Sequence, residues 1–127
     1  MNVYILGNPL IEKDSLPLKI LPLLKESFSK ITFLHLDPTE EMPHEEHFIL
    51  IDAVEGIKEV TLFDDTDIEK FVSSPQVSLH DFDLGFQLKL SKKVGTIQKI
   101  TIIGVPMGMD EEEAFRGVKG VVEEVVG

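Results

Sequence analysis

The chain has 127 residues, a formal net charge of −11, 43% hydrophobic residues and no cysteine. Such a length and apolar content suit one compact domain over residues 1–127 and argue against disorder. The acidic balance argues against nucleic acid or an anionic membrane as the main partner, and the missing cysteine excludes disulfides, thiolate metal sites and a cysteine nucleophile.

No basic segment opens the N-terminus, and every apolar run is broken well short of a membrane span. The sequence therefore predicts neither a secretory leader nor a transmembrane helix, and a chain free of cysteine suits the cytoplasm. Much of the acid reads as solvated helix surface, as at Asp110–Glu113 and Glu123–Glu124.

The first predicted element is a strand, Asn2–Leu6, stopped by Gly7 and Asn8. A helix opens near Pro17, a residue suited to a first helical turn, and carries Leu18, Leu21, Leu24 and Phe28; Pro22 is expected to kink or shorten it. A second strand, Ile31–Leu36, leads into a polar loop, Asp37–His47. The third strand, Phe48–Val54, is separated from the fourth, Glu59–Phe63, only by Glu55–Lys58. So short a gap cannot hold a parallel crossover and predicts a hairpin, hence one antiparallel strand.

A short helix is expected from Asp65–Thr66 through Ile68, Phe71 and Val72. Another follows His80, with Leu84 and Leu88 one turn apart and Gly85 between them. The last strand, Lys99–Val105, precedes the clearest helix, whose Ala114, Phe115, Val118, Val121, Val122 and Val125 form one apolar stripe. Gly117, Gly120 and the valines are poor helix formers, so tertiary packing must hold it. Val3–Leu6, Phe48–Ile51 and Ile100–Ile103 are nearly continuous in apolar residues, like strands buried on both faces of a parallel sheet. Strands alternating with helices predict a three-layer α/β/α sandwich with a mainly parallel, five-stranded twisted sheet and one antiparallel strand.

In such a sheet, ligands bind beyond the carboxyl ends of the strands, where the strand order reverses. Three chemically suited residues belong to segments that end there. Asp14 follows the first strand, Asp52 interrupts the apolar run "FILIDAV", and His80 sits in "SLHDFDLG" where a loop meets a helix. Two carboxylates and an imidazole suit a divalent transition metal such as nickel or zinc, and three protein ligands leave positions open for water or substrate. Each residue also has a plainer role. Asp14 can cap the helix at Pro17, Asp52 can be a hydrogen-bonded structural carboxylate, and His80 can be an ordinary loop histidine. No serine sits in a G-x-S-x-G turn, and "HEEH" (His44–His47) lacks the H-E-x-x-H spacing that puts two imidazoles on one helical face.

The stretches "LGNPLIEKD", "ILIDAVEG", "SLHDFDLGFQLKL" and "ITIIGVPMGM", in that order, resemble the hydrogenase maturation protease family. The resemblance extends over nearly the whole chain. It implies an endopeptidase of aspartyl type that removes the C-terminal extension of a nickel–iron hydrogenase large-subunit precursor once nickel is inserted. It further implies that Asp14, Asp52 and His80 contact metal and act in catalysis, that Asn8 and Asp37 help bind substrate, and that the nickel arrives with the precursor. The sequence departs from the family pattern in having Ser15-Leu16-Pro17 where relatives have G-x-G, Lys13 as the first of the acidic pair, and Asp37-Pro38-Thr39 without glycines. These departures motivate an alternative, a non-cleaving module that docks on the nickel-loaded precursor. For assembly, a monomer or weak dimer is expected, with the helix Ala114–Val126 packed inside or partly against a second copy.

Overall fold

The computed structural model describes residues 1–7, 15–37, 40–68, 78–79 and 82–126, with 78–79 and 82–85 described by backbone alone. Six strands, β1 (Asn2–Ile5), β2 (Thr32–His35), β3 (Glu45–Glu55), β4 (Thr61–Asp64), β5 (Ser78–Leu79) and β6 (Ile97–Pro106), form one sheet. Three α-helices are described: α1 (Leu16–Ser27), α2 (Phe82–Val94) and α3 (Glu111–Val126). The main strand order is β2-β1-β3-β6-β4. Pairings β1–β2, β1–β3 and β3–β6 are parallel and β4–β6 is antiparallel.

The two faces of the sheet bury separate apolar clusters. One gathers Val3, Ile5, Ile49, Ile51, Ile103 and Val105 beneath Leu16, Ile20 and Leu24 of α1 and Ala114, Val118 and Val122 of α3. The other gathers Tyr4, Phe48, Leu50, Ile100 and Ile102 beneath Leu88 of α2. Helices on both faces complete the three layers.

Packing decides α3. Its valines cost about 0.5 kcal/mol each in helix propensity, whereas burying a side chain of that size contributes about 1.5–3 kcal/mol. Asp110 caps the helix by accepting from the backbone N–H groups of Glu112 and Glu113 at 3.2 and 3.3 Å, and Glu111–Glu113 place negative charge at its electropositive end. Of the two glycines, Gly117 has a packing reason: a Cβ there would stand 2.7 Å from Cγ2 of Val60, while one at Gly120 would meet nothing.

One expectation is corrected and one alternative for Pro22 is removed. The β3–β4 connection is not a hairpin, because β6 inserts between the two strands and pairs with both. Helix α1 is not shortened at Pro22 but runs on to Ser27. Pro22 is exposed, so the Leu18 carbonyl that loses its helical donor there can be served by water. The helix expected from Asp65 begins as a 3-10 turn, Asp65–Asp67, and its Phe71 and Val72 lie outside the described residues.

Strand β3 starts three residues before the apolar run, at Glu45, which dissolves the "HEEH" segment into sheet. Its polar side chains find partners at the amino edge. The Tyr4 hydroxyl donates to Glu45 Oε2 at 2.5 Å, and Asn2 Nδ2 donates to the same oxygen at 3.0 Å. Burial first and the Glu45 carboxylate second push the Tyr4 phenol up to about 12. His47 Nε2 lies 2.7 Å from Thr101 Oγ1. Burial, then Lys99, lowers the His47 pKa from its ordinary 6.5.

Two predictions follow from these contacts. Gly120→Ala should raise stability by about 0.5–1 kcal/mol through helix propensity, while Gly117→Ala should lower it by about 1–3 kcal/mol through overpacking against Val60. Opposite shifts in the urea midpoint are the expected result. Because folded His47 stays neutral below its unfolded pKa, unfolding takes up a proton there; the contribution of His47 is complete above pH about 6.5 and is lost as pH falls through the folded value. Unfolding free energy measured across that window should decline less steeply in His47→Gln than in the parent chain.

Candidate functional site

Strands β1, β2, β3 and β6 run in parallel, so their carboxyl ends share one edge of the sheet. From β1 the chain passes to β2 on one side and then to β3 on the other. The order therefore reverses between β1 and β3, the place where an open α/β sheet leaves a crevice.

Asp52 stands on β3 at this reversal. It is 0% exposed, opposite Gly104 of β6 in the register, and flanked along its own strand by Leu50 and Val54 on the same face. A carboxylate in such surroundings costs several kcal/mol unless hydrogen bonds, a counter-charge or a cation offset it. Gly104 explains part of the local shape: a Cβ there would lie 2.9 Å from Phe63 Cε2 and 3.0 Å from Val54 Cγ2. The glycine of "IIGV" thus lets β4 and the end of β3 close over the sheet beside Asp52.

The neighbouring backbone converges on the same edge. The Leu6 N–H donates to the Ile51 carbonyl at 3.0 Å, and the Leu36 N–H donates to the Ile5 carbonyl at 2.8 Å. Gly7 ends the described part of β1's exit, and Ser15 resumes the chain as N-cap of α1. The Ser15 side chain makes no capping hydrogen bond to α1. Asp37 is exposed at the end of β2, its carbonyl accepting from the Glu40 N–H at 3.1 Å. With β1 between them, β2 and β3 lie about 10 Å apart, two strand spacings, so Asp37 belongs to the rim.

Strand β5 carries no periodic signal in the sequence, yet it bears on the site. It pairs antiparallel with the end of β3, Leu79 opposite Val54 and Ser78 opposite Glu55. Because β6 already occupies the other side of Val54, β5 lies on the side where β1 has ended. The residue before His80 is thereby held beside β3, two residues beyond Asp52.

Of the five candidate residues, Asp52 and Asp37 are at the carboxyl edge, and Asn8, Asp14 and His80 lie outside the described residues. Among the described residues no group of three or more His, Asp or Glu side chains converges as a metal site. A recess of about 490 Å³ bordered by Met1, Asn2, His47 and Lys99 opens at the opposite, amino edge. Its Asn2, Glu45 and His47 already bond within the protein. Pairing of those groups leaves no signal in the sequence, where Glu45-Glu46-His47 is an unbroken polar run before Phe48.

Gly104→Ala should destabilise the chain by about 1–3 kcal/mol, since Phe63, Val54 and Ile57 all press on that position. An unchanged denaturation midpoint would mean that these neighbours can separate freely.

Comparison with known proteins bears on the fold and on the family. The sequence profile described as hydrogenase maturation protease matches residues 34–127. No curated protein matches by sequence. Among solved structures, the chain is similar to the hydrogenase maturating endopeptidase HybD from Escherichia coli, with TM-score 0.58, 17% identity, and coverage of 98% of this chain and 94% of that one. It is also similar to the endopeptidase HycI from Escherichia coli, with TM-score 0.60, 18% identity, and coverage of 100% and 92%. A further solution structure of an endopeptidase from Escherichia coli gives TM-score 0.61, 17% identity, and coverage of 98% and 94%. At these identities the likeness is one of fold.

Proposed function

Because the chain belongs to the hydrogenase maturation protease family, we propose that it is the endopeptidase that trims the C-terminal extension from a nickel–iron hydrogenase large-subunit precursor after nickel insertion. The observation that carries this reading is the buried Asp52 on β3 at the reversal of strand order, with β5 holding the segment that leads into His80 alongside.

The donor chemistry suits the cargo. Carboxylates of Asp14 and Asp52 and the imidazole of His80 are ligands that a borderline divalent ion accepts, and we read nickel as part of the substrate. Such an ion can polarise a scissile carbonyl or lower the pKa of a bound water. Asp52, held rigid in the central strand, orients that end of the substrate. Asp14, between β1 and α1 in the sequence, serves as general base. Asn8 and the rim residue Asp37 bind the extended tail. With no cysteine in the chain, a thiolate route is closed. No described helix is long and apolar enough to cross a membrane; we place the reaction in the cytoplasm, beside the unfinished precursor.

A second reading, docking without cleavage, draws on the start of α1 at Leu16, directly after the acidic loop where relatives have a glycine-rich element. One experiment separates the two. The protein is incubated with its matched precursor, nickel-loaded or nickel-free, and release of the tail is followed by mass spectrometry. Cleavage of the loaded form alone is expected. Asp14→Ala, Asp52→Asn and His80→Ala should each slow it by about 10²-fold or more while leaving the precursor complex intact. Complex formation with no cleavage by the parent chain would favour the docking reading, and absence of both would falsify the assignment.

A further inference from the structure

We propose that the outward face of α2 is a self-association surface, on which a second copy of this chain seats with the two α2 helices side by side and parallel. Phe86, Leu90 and Val94 recur every four residues along α2 and are 61%, 51% and 64% exposed. Leu88, on the opposite side of the helix, is fully buried against the sheet. Among the described residues the other large exposed apolar side chains are scattered: Met1 before β1, Leu23 on α1, Leu34 on β2 and Leu62 on β4. Single exposed apolar residues are ordinary, but a continuous line of three on one helix marks a contact. Helix α3 packs its apolar stripe against α1 and the sheet.

The charges beside this line identify the occupant. Along one flank runs a groove of about 350 Å³, lined by Gln87, Leu90 and Val94 of α2 and by Glu40, Glu41, Met42 and His44, with His44 Nε2 3.5 Å from Glu41 Oε1. At about 100° per residue, Lys89 and Lys93 fall on the flank away from the groove. One apolar stripe is thus bordered by acid on one side and base on the other, as a self-complementary twofold contact requires. A twofold axis parallel to α2 brings Lys93 of each copy onto the acidic wall of the other. The antiparallel alternative sets lysines against lysines and is opposed by like charge. Some other partner needs only one sign of charge; a second copy needs both.

Size sets the strength. Thirteen helical residues extend about 20 Å, and even with the Glu40–His44 loop added, the patch is smaller than the roughly 800 Å² per partner of a standard interface. A net charge of −11 on each copy adds long-range repulsion, which salt at about 0.15 M screens beyond about 8 Å. The dimer is therefore weak and concentration-dependent. It does not rest on the proteolytic reading, since no residue of the proposed site takes part.

Sedimentation equilibrium at physiological salt tests the proposal. Average mass should climb with concentration from one chain toward two. Leu90→Asp, at an exposed position and with an unchanged circular dichroism spectrum, should hold the protein at one chain. Lys93→Glu should weaken association about tenfold or more, and combining it with Glu40→Lys and Glu41→Lys should restore it by exchanging the two flanks. A parent chain that stays monomeric at every concentration overturns the proposal, as does a dimer indifferent to Leu90→Asp. If the monomeric parent binds precursor and Leu90→Asp does not, the face belongs to the precursor instead.

Discussion

The register between β3 and β6 governs the molecule. From Phe48↔Ile100 to Val54↔Pro106 the two strands pair in parallel without a break, and nearly every paired side chain is buried. Side chains alternate faces along a strand, so a slip of one residue would carry Asp52 from the face covered by α2 to the face covered by α1 and α3. It would also move Gly104 away from Val54, which needs its missing side chain. Both apolar clusters and the placement of the buried carboxylate follow from this single alignment.

The sheet's two edges divide the polar work. At the amino edge, Glu45 is held by Tyr4 and Asn2, and His47 sits against Thr101. Farther along, Asp65 accepts from the Ile100 N–H at 2.6 Å and pairs with Lys92, which also donates to the Gln98 carbonyl at 3.1 Å. These contacts tie α2 and the 3-10 turn to β6 and anchor the start of the long strands. The carboxyl edge has the buried Asp52 and the exposed Asp37. Rigidity is built at one end, and chemistry is proposed at the other.

What could be read from the sequence depended on whether a signal was local. The continuous apolar runs of β3 and β6 and the stripe of α3 announce themselves, because burial on both faces or on one helical face imposes a pattern on neighbouring residues. The identity of β4's partner does not. Four intervening residues fix its direction relative to β3, but whether β6 slips between them is decided by residues forty positions later. Strand β5 has only two residues, too few for any period. In the candidate site, Asp52 was legible as a charge misplaced in an apolar strand, and Asp37 only through resemblance. Asp14, Asn8 and His80 were legible chiefly through resemblance, since a loop carboxylate or imidazole has many ordinary uses.

The insertion of β6 also bears on how the chain comes to be folded. Strands β3 and β4 leave the ribosome well before their common neighbour, and each must wait with a vacant hydrogen-bonding edge, β3 in the middle of what will become the sheet. Closure of the sheet thus depends on contacts between residues far apart in sequence, the kind that slow folding and prolong exposure to misassembly. The half-made protein is most vulnerable until its last strand is synthesised, and that strand, by arriving late, joins β3 to β4 before α3 covers the face behind them.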